Sequence, residues 1–330
     1  MDISLVTQLS KEEQKKRQDL LLQAELVDDG RTEVTALVRD GDEIIAVGSR
    51  DGSILKLIAV DERHRGEDLT ASVLTALRQN AFECGHKHLF LYTKPKNKYT
   101  FSSLFFYPVA QTDKVLLLED RRDGIKDFIS SLPSYRGIGR VGALVMNCNP
   151  FTKGHRYLVE RASAECERVF VFVLSEDKSF FSAEDRFEMV CRGLADLENV
   201  TVLPTGPYLI SSATFPSYFL KDRDAVSDAQ CALDIEIFVK YFVPHFSITH
   251  RYVGSEPFSP LTEKYNAKLK ENLPRHNVEL VEIERLSTGG RAVSASEVRE
   301  CIAKSDISAM SELLPESTLD YLSEKGIIKA

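Results

Sequence analysis

The chain contains 330 residues, of which 43% are hydrophobic and 28% are charged, and its formal net charge is −8. This length is typical of about two domains, and the negative charge argues against broad binding to nucleic acid or to an anionic membrane, which both need a basic face. Six scattered cysteines, a polar N-terminus and the lack of an apolar run of roughly 20 residues predict a cytoplasmic protein without a secretory leader or a membrane span.

The first third of the chain mixes helices with short strands. Asp40-Gly41 and Asp51-Gly52 separate three of these strands, and Asp-Gly is a strong hairpin signal. The predicted elements are a helix at 11–25, strands at 33–39, 43–49 and 53–60, a helix at 67–83, and strands at 88–93 and 114–119. We therefore expect a small α+β domain over residues 1–125.

The loop Arg63–Asp68 follows the third strand of this set and precedes a helix. Its sequence, RHRGED, resembles the pyrophosphate loop [QR]-x-x-G-x-[GA] of GNAT acyltransferases, with Asp68 in the place of a small residue. A carboxylate at that point repels a pyrophosphate. The resemblance therefore implies a GNAT-like domain that recognises a CoA-like arm and performs no chemistry. The alternative is a plain βα loop with surface charges.

Residues 126–139 combine mixed charge with Pro, Ser and Gly, and we expect a linker there. Strand and helix patterns then alternate over a second domain, 140–330. Predicted strands lie at 140–146, 168–174, 200–203, 248–254 and 278–284, with helices between them at 155–165, 183–195, 226–241 and 261–272. Such alternation predicts an α/β fold with a doubly wound parallel sheet. Ligands of such sheets bind at the carboxyl ends of the strands, near the switch point.

The first candidate site lies where the first strand of this domain meets its helix. The segment VGALVMNCNPFTKGH places Thr152, Gly154 and His155 at a helix N-terminus. The first-turn N–H groups and the helix dipole favour a polyphosphate there, and Gly154 has no Cβ to keep an anion away. The alternative is a βα turn whose Thr and His only cap the helix. Three preceding residues complete the expected nucleotide-binding turn: Asn149, Pro150 and Phe151.

A second candidate site lies near the C-terminus, in GGRAVSASEVR. A loop carrying Arg291 leads to a hydroxyl-rich helix start, Ser294 and Ser296. Arg299 shares a helix face with Ser296 and offers a fork of donors to phosphate oxygens. Ser294 and Glu297 also read as a capping box, which any helix could carry.

Other residues are weaker candidates. Lys178 follows the second strand and would reach a triphosphate, or it is a solvated loop residue. Gly254 and Ser255 follow the fourth strand, where they would pack against a ribose and adenine or form a plain turn. Arg186 faces the site or pairs with nearby carboxylates, and the long aromatic stretch 206–220 is a functional loop or a packed lid. We predict no protein-held metal, because no cluster has metal-ligand spacing.

The two motifs resemble the signatures T/HxGH and I-S-x-[ST]-x-x-R of the nucleotidyltransferase superfamily, whose members attack the α-phosphate of ATP and release pyrophosphate. Both domains together, with NPFTKGHRYLVE, YLISSATFPSYFLK, YVGSEPFSP and VSASEVR, make the chain similar to the citrate lyase ligase family over its full length. The resemblance implies that ATP and acetate give acetyl-adenylate and pyrophosphate. The acetyl group then passes to the thiol of the arm on the lyase's acyl carrier subunit, and AMP leaves. It also implies catalytic roles for Thr152, His155 and Arg299, with Mg²⁺ held mostly by ATP and water.

Two other functions fit parts of the sequence. One is an adenylyltransferase acting on a phosphorylated cofactor precursor, of the phosphopantetheine or NMN type, which would carry the same two motifs. The other is a GNAT acetyltransferase with a nucleotide-sensing second domain. The products distinguish the three: a stable dinucleotide, ATP-independent acetylation, or AMP with pyrophosphate.

Overall fold

The computed structural model describes residues 1–176, 179–209, 215–216, 218–220, 223–255, 260–288 and 291–328. The chain forms two compact units. The first unit comprises Met1–Asp127 together with Phe215–Glu236, and the second begins at Phe128 and contains the other described residues. The segment from Phe215 thus belongs to the first unit, although the sequence pattern placed it in the second domain.

The first unit contains a seven-stranded mixed sheet in the order β1-β2-β3-β4-β5-β7-β6. Its strands are β1 (Asp2–Val6), β2 (Val34–Asp40), β3 (Glu43–Asp51), β4 (Ile54–Val60), β5 (Phe90–Thr93), β6 (Tyr107–Gln111) and β7 (Leu116–Glu119). Its first three helices are α1 (Lys11–Gln23), α2 (Leu69–Glu83) and α3 (Lys98–Ser102). The predicted α+β class is confirmed, and β1, β6 and α3 are additions to the predicted elements.

Helix α2 packs closely on this sheet because Gly48 carries no side chain. A Cβ at Gly48 would lie 2.3 Å from Cγ1 of Val73. Val73 and Leu77 are fully buried, as are Leu37 and Leu55 of the sheet. The parallel strands β4 and β5 pair only at Ile54↔Phe90 and Leu55↔Leu91, and they separate beyond these two pairs.

The second unit contains a five-stranded parallel sheet in the order β10-β9-β8-β11-β12. Its strands are β8 (Val141–Met146), β9 (Arg168–Val173), β10 (Val200–Pro204), β11 (His250–Gly254) and β12 (Glu279–Ile283). The hairpin β13 (Ser287–Thr288) and β14 (Arg291–Ala292) follows. The predicted doubly wound sheet is confirmed. Because the chain runs outward from β8 to β10 and then restarts at β11, the switch point lies between β8 and β11.

The remaining α-helices of the described residues follow α3 in the chain. They are α4 (Gly124–Ser131), α5 (Lys153–Glu165), α6 (Ala183–Gly193), α7 (Arg223–Ile237), α8 (Val243–Phe246), α9 (Pro260–Asn272), α10 (Ala295–Lys304), α11 (Ile307–Leu313) and α12 (Glu316–Glu324). Helices α4 and α7 each span a boundary between the two units. Helix α4 occupies part of the stretch predicted as a linker. Among the described residues, no helix has both the length and the apolar character to cross a membrane.

Candidate active site

A cavity of about 650 Å³ opens at the switch point of the parallel sheet. Strands β8 and β11 pair only at His250↔Gly142 and Arg251↔Ala143, and beyond these two pairs they separate. The cavity is lined by Val145, Met146, Asn147, Thr152, Gly154, His155, Leu158, Arg251, Tyr252, Val253, Gly254, Thr262, Tyr265, Asn266, Arg285, Leu286, Val293, Ser294, Ala295 and Ser296. Both predicted motifs therefore meet in one cavity.

The first motif caps helix α5 and at the same time orients a histidine. The hydroxyl of Thr152 accepts the backbone N–H of His155 at 3.3 Å, and Nδ1 of His155 accepts the backbone N–H of Thr152 at 3.0 Å. Because Nδ1 accepts from a main-chain donor, the neutral ring carries its proton on Nε2. The sequence posed capping and ligand binding as alternatives, and here the cap itself fixes the tautomer of a residue in the cavity.

His155 stays uncharged at neutral pH. Burial lowers the pKa of its imidazole to about 4, and the nearby charge of Arg285 also lowers it. A neutral imidazole with its proton on Nε2 can donate a hydrogen bond to a phosphate oxygen.

The turn before α5 packs against the first motif through Phe151. Phe151 is fully buried, and its ring stacks on His155 with the centroids 6.0 Å apart. Gly193 makes room for it, since a Cβ there would lie 2.3 Å from the Phe151 ring. Asn149, Pro150 and Phe151, which the sequence proposed as nucleotide-binding, do not appear among the described lining residues. Asn149 accepts hydrogen bonds from Arg299 and from the amide of Phe181, and Phe151 stacks on His155, so both residues hold the turn in place.

The second motif reaches the cavity through the start of helix α10. Ser294 is the N-cap, and its hydroxyl accepts the N–H of Ser296 at 3.2 Å, two residues on, where a capping box would bond residue 297. Arg299 donates to the carbonyl of Asn149 at 2.6 Å and to Oγ of Ser296 at 2.8 Å. Arg299 thus ties the two motifs together.

Two cationic residues of the cavity, Arg285 and Arg251, were missed by the sequence argument. Arg285 follows strand β12, and its Nε donates to the carbonyl of Ser255 at 2.8 Å. Arg251, only 3% exposed, lies in strand β11 with its guanidinium 4.6 Å from the ring centre of Phe238. A cation placed directly after a parallel strand is a signal that would have found Arg285.

Ser255, predicted to bind the nucleotide, contacts Arg285 and does not line the cavity among the described residues. Gly254 does line it, and Asn266 of α9 donates to the Gly254 carbonyl at 3.0 Å. Lys178, and residues 210–214 and 217 of the stretch 206–220, lie outside the described residues, as does the side chain of Arg291.

Arg186 is fully buried and acts on the ends of two strands. Its guanidinium donates to the carbonyl of Leu174 at 2.8 Å, to the carbonyl of Asn147 at 3.0 Å and to Oδ1 of Asn147 at 2.7 Å. It therefore holds the carboxyl ends of β8 and β9 beside the cavity.

The first unit has a cleft of its own, of about 820 Å³, where β4 and β5 separate. Four residues of the loop Arg63–Asp68 line it, namely His64, Arg65, Gly66 and Asp68, and the two arginines of the loop pair with carboxylates that precede it. Arg63 pairs with Asp61 at 2.9 Å, and Arg65 pairs with Glu62 at 2.7 Å. Asp68 stands at the N-cap of α2 in the left-handed region, with φ of 54°.

Tyr218 also lines this cleft and is buried. The N–H of Val27 donates to the Tyr218 carbonyl at 2.7 Å, and the Tyr218 hydroxyl donates to the carbonyl of Tyr92. Beside it, the buried ammonium of Lys56 contacts both carboxylate oxygens of Asp29, at 2.6 and 2.8 Å. A side chain that arrives from the segment after β10 thus occupies part of the cleft.

Comparison with known proteins gives matches over nearly the whole chain. A family model described as citrate lyase ligase C-terminal domain matches residues 141–322. The "[Citrate [pro-3S]-lyase] ligase" of Klebsiella pneumoniae is 42% identical over 285 residues, which cover 84% of this chain and 83% of that protein. The protein with the same name from Escherichia coli (strain K12) is 37% identical over 328 residues, covering 96% and 93%. A phosphopantetheine adenylyltransferase of Clostridium perfringens (strain ATCC 13124) is 26% identical and covers 45% of this chain and 96% of its own length.

Proposed function

The chain belongs to the citrate lyase ligase family and is an enzyme of that activity, and on this premise we propose how its two clefts divide the reaction. The cavity between β8 and β11 activates acetate with ATP. The cleft between β4 and β5 recognises the thiol-bearing arm on the acyl carrier subunit of citrate lyase. A cytoplasmic setting belongs to the same proposal, because all six cysteines carry free thiols.

In the first half-reaction, a carboxylate oxygen of acetate forms a bond to the α-phosphorus of ATP. The bond from that phosphorus to the bridging oxygen breaks, and pyrophosphate leaves with the electron pair. Acetate is already an anion and needs no general base. The protein contributes position and hydrogen bonds to the phosphate oxygens, which carry the charge of the transition state.

The observation that carries this proposal is the meeting of two helix N-termini, α5 and α10, on one cavity beside a neutral histidine. Each N-terminus presents unpaired N–H groups and a positive dipole end. Ser296 adds a hydroxyl and His155 adds the Nε2 proton, while the Thr152 hydroxyl lies 2.9 Å from Nδ1 of His155 and supports its ring. This is a donor set for a polyphosphate.

Mg²⁺ fits this site only as the metal complex of ATP. The described lining residues include no carboxylate, and Mg²⁺ is bound preferentially by carboxylate, phosphate and water oxygens. Phosphate and water would therefore hold it, and it would supply neutralisation of phosphate charge.

In the second half-reaction, the carrier thiol attacks the acetyl carbonyl of acetyl-adenylate. A carbon–sulfur bond forms, the carbon–oxygen bond to phosphate breaks, and AMP leaves while the thiol proton passes to solvent. The relation to phosphopantetheine adenylyltransferase covers less than half of this chain, so that function leaves the first unit without a role.

Product analysis tests the reaction. With ATP, Mg²⁺ and acetate, we expect pyrophosphate, and AMP once a CoA-type thiol or the lyase is added. ADP as the main product would overturn the proposal. A stable dinucleotide formed with a phosphorylated precursor would favour the adenylyltransferase instead.

The role of the first unit is proposed from its cleft. The parallel strands separate where a linear arm would enter, and α2 begins beside it, yet Asp68 stands at the N-cap and Tyr218 occupies part of the space. These features support recognition of an arm without chemistry. Arg65 is exposed and lines the cleft, so it would meet the phosphates of the arm.

Arg65→Glu should raise the KM for the carrier about tenfold and leave ATP–pyrophosphate exchange unchanged. Lys126→Glu is a matched control, because Lys126 is equally exposed and pairs with Asp123 across the same three-residue spacing. Equal KM values for the two variants would remove the cleft from the proposal. Point variants are preferable to deletion of 1–125, which would expose the buried Phe215, Tyr218 and Phe219.

A further inference from the structure

Arg285 lines the same cavity as the first motif and lies on the loop that follows β12. We propose that Arg285 binds the triphosphate of ATP and stabilises the charge that collects on pyrophosphate as it departs. This inference rests on the proposed adenylation of acetate. It assigns to Arg285 the phosphate contact that the sequence argument gave to Arg299.

The side chain is held by the neighbouring strand end. The amide of Ser255 donates to the carbonyl of Ile283 at 2.8 Å, so the chain after β11 stays paired with the end of β12. The amide of Arg285 then donates to Oγ of Ser255 at 3.3 Å, and Nε of Arg285 donates to the Ser255 carbonyl at 2.8 Å. A guanidinium fixed through Nε has its plane set before a ligand arrives, which reduces the entropy lost on binding.

The electrostatics of the cavity favour a polyanion near this residue. Among the described lining residues there are two arginines and no carboxylate. The charge of Arg285 is close enough to His155 to oppose its protonation. The same charge would act on a phosphate placed between them.

Arg299 differs from Arg285 in its position relative to the cavity. Its guanidinium contacts the carbonyls of Asn149 and Ala295 and the hydroxyl of Ser296, which are all protein acceptors. It does not appear among the described lining residues. Arg299 holds the two motifs together, and Arg285 lines the cavity where they meet.

The chemistry needs a cation at this point. As acetate bonds to the α-phosphorus, the electron pair of the breaking bond moves to the bridging oxygen, and pyrophosphate gains negative charge. Hydrogen bonds that become stronger as this charge develops lower the activation barrier. Loss of one such donor lowers kcat by about 10²–10³.

The test compares Arg285→Gln and Arg285→Lys with the control Arg275→Gln, which removes an exposed cation of the same unit that pairs with Glu271. Three quantities are measured: acetate-dependent ATP–pyrophosphate exchange, calorimetric binding of inorganic pyrophosphate, and the pKa of His155 by NMR titration. We expect Arg285→Gln to lose about 10²–10³ in exchange rate and at least about tenfold in pyrophosphate affinity. The pKa of His155 should rise, and the control should match the wild type.

Arg285→Lys keeps the charge and loses the fork, so it should keep the low pKa of His155 while recovering only part of the exchange rate. Added guanidinium should raise the rate of Arg285→Gln. Wild-type pyrophosphate affinity in either folded variant would overturn the inference, as would equal losses in the control. If the wild type shows no acetate-dependent exchange while Arg285→Gln still loses pyrophosphate binding, the adenylation proposal fails and the assignment of Arg285 stands.

Discussion

The substitution Gly154→Ala should change the KM for ATP without lowering the stability of the fold. Gly154 is the second residue of α5, and a Cβ there would lie 3.5 Å from Oγ1 of Thr152 and 3.5 Å from Cβ of Val293. These are ordinary van der Waals distances, so the protein itself accommodates alanine. Because alanine is the better helix former, we expect the free energy of unfolding to stay equal or rise by up to about 1 kcal/mol.

The same substitution should weaken the binding of ATP. If a phosphate sits against the N-terminus of α5, the added methyl group displaces it from the first-turn N–H groups. Loss of one charge-assisted hydrogen bond costs about 1.5–3 kcal/mol. This cost corresponds to roughly a 10- to 150-fold loss of affinity for ATP. The KM for ATP in acetate-dependent exchange should rise by this factor.

Gly193→Ala is the informative contrast, since its Cβ would collide with Phe151 and lower the melting temperature. A stable Gly154→Ala enzyme with unchanged KM for ATP would show that no phosphate approaches this turn.

The remaining predictions concern the side chains around the same cavity. His155→Ala should lower kcat by about 10²–10³ while far-UV circular dichroism stays that of the wild type; near-normal turnover in the folded variant would mean that the histidine only caps α5. The pKa of His155, lowered to about 4, implies that its imidazole stays neutral down to about pH 5, so its NMR titration should begin below that pH. Unfolded histidine takes up a proton near pH 6.5, so the contribution of this group to stability should fall between about pH 6.5 and 4 in urea titrations, and a difference between wild type and His155→Ala that stays constant over that range would contradict the assignment. Arg186→Lys should lose at least about 3 kcal/mol of unfolding free energy, because lysine cannot span the acceptors on both strand ends; a midpoint equal to the wild type in urea would refute this.

The regular parts of the fold were readable from the sequence because their patterns are local. VFVFVL around Phe170 is a β-branched and aromatic run that suits a strand covered on both faces, and it forms β9. Thr152 and His155 could be placed at a helix start for the same reason, since a cap is defined within four residues. Their arrival in one cavity with Ser294 and Ser296 follows from the parallel order of the sheet.

Other features depend on contacts that no local pattern encodes. The position of Arg285 after a predicted strand marks it as a candidate, but its contact with Ser255, which is 30 residues away in the chain, could not be predicted from the sequence. Arg186 was expected to pair with nearby carboxylates or to face the ligand, and its hydrogen bonds to the carbonyls of Asn147 and Leu174 could not be predicted from the sequence. β1 was missed because DISLV is a short edge strand whose residues are largely exposed or half-buried.

The discontinuity of the first unit has a consequence for how the protein is made. Its last segment, Phe215–Glu236, is translated about a hundred residues after Asp127. At about 5–20 residues per second, the ribosome needs roughly 5–20 s to deliver that segment, and much of the parallel sheet emerges in the interval. The first unit therefore cannot reach its final form as an isolated N-terminal piece. An end-to-end fusion of two genes, one for each unit, would not give this arrangement. The segment that carries Tyr218 belongs to the first unit but lies within the sequence of the second.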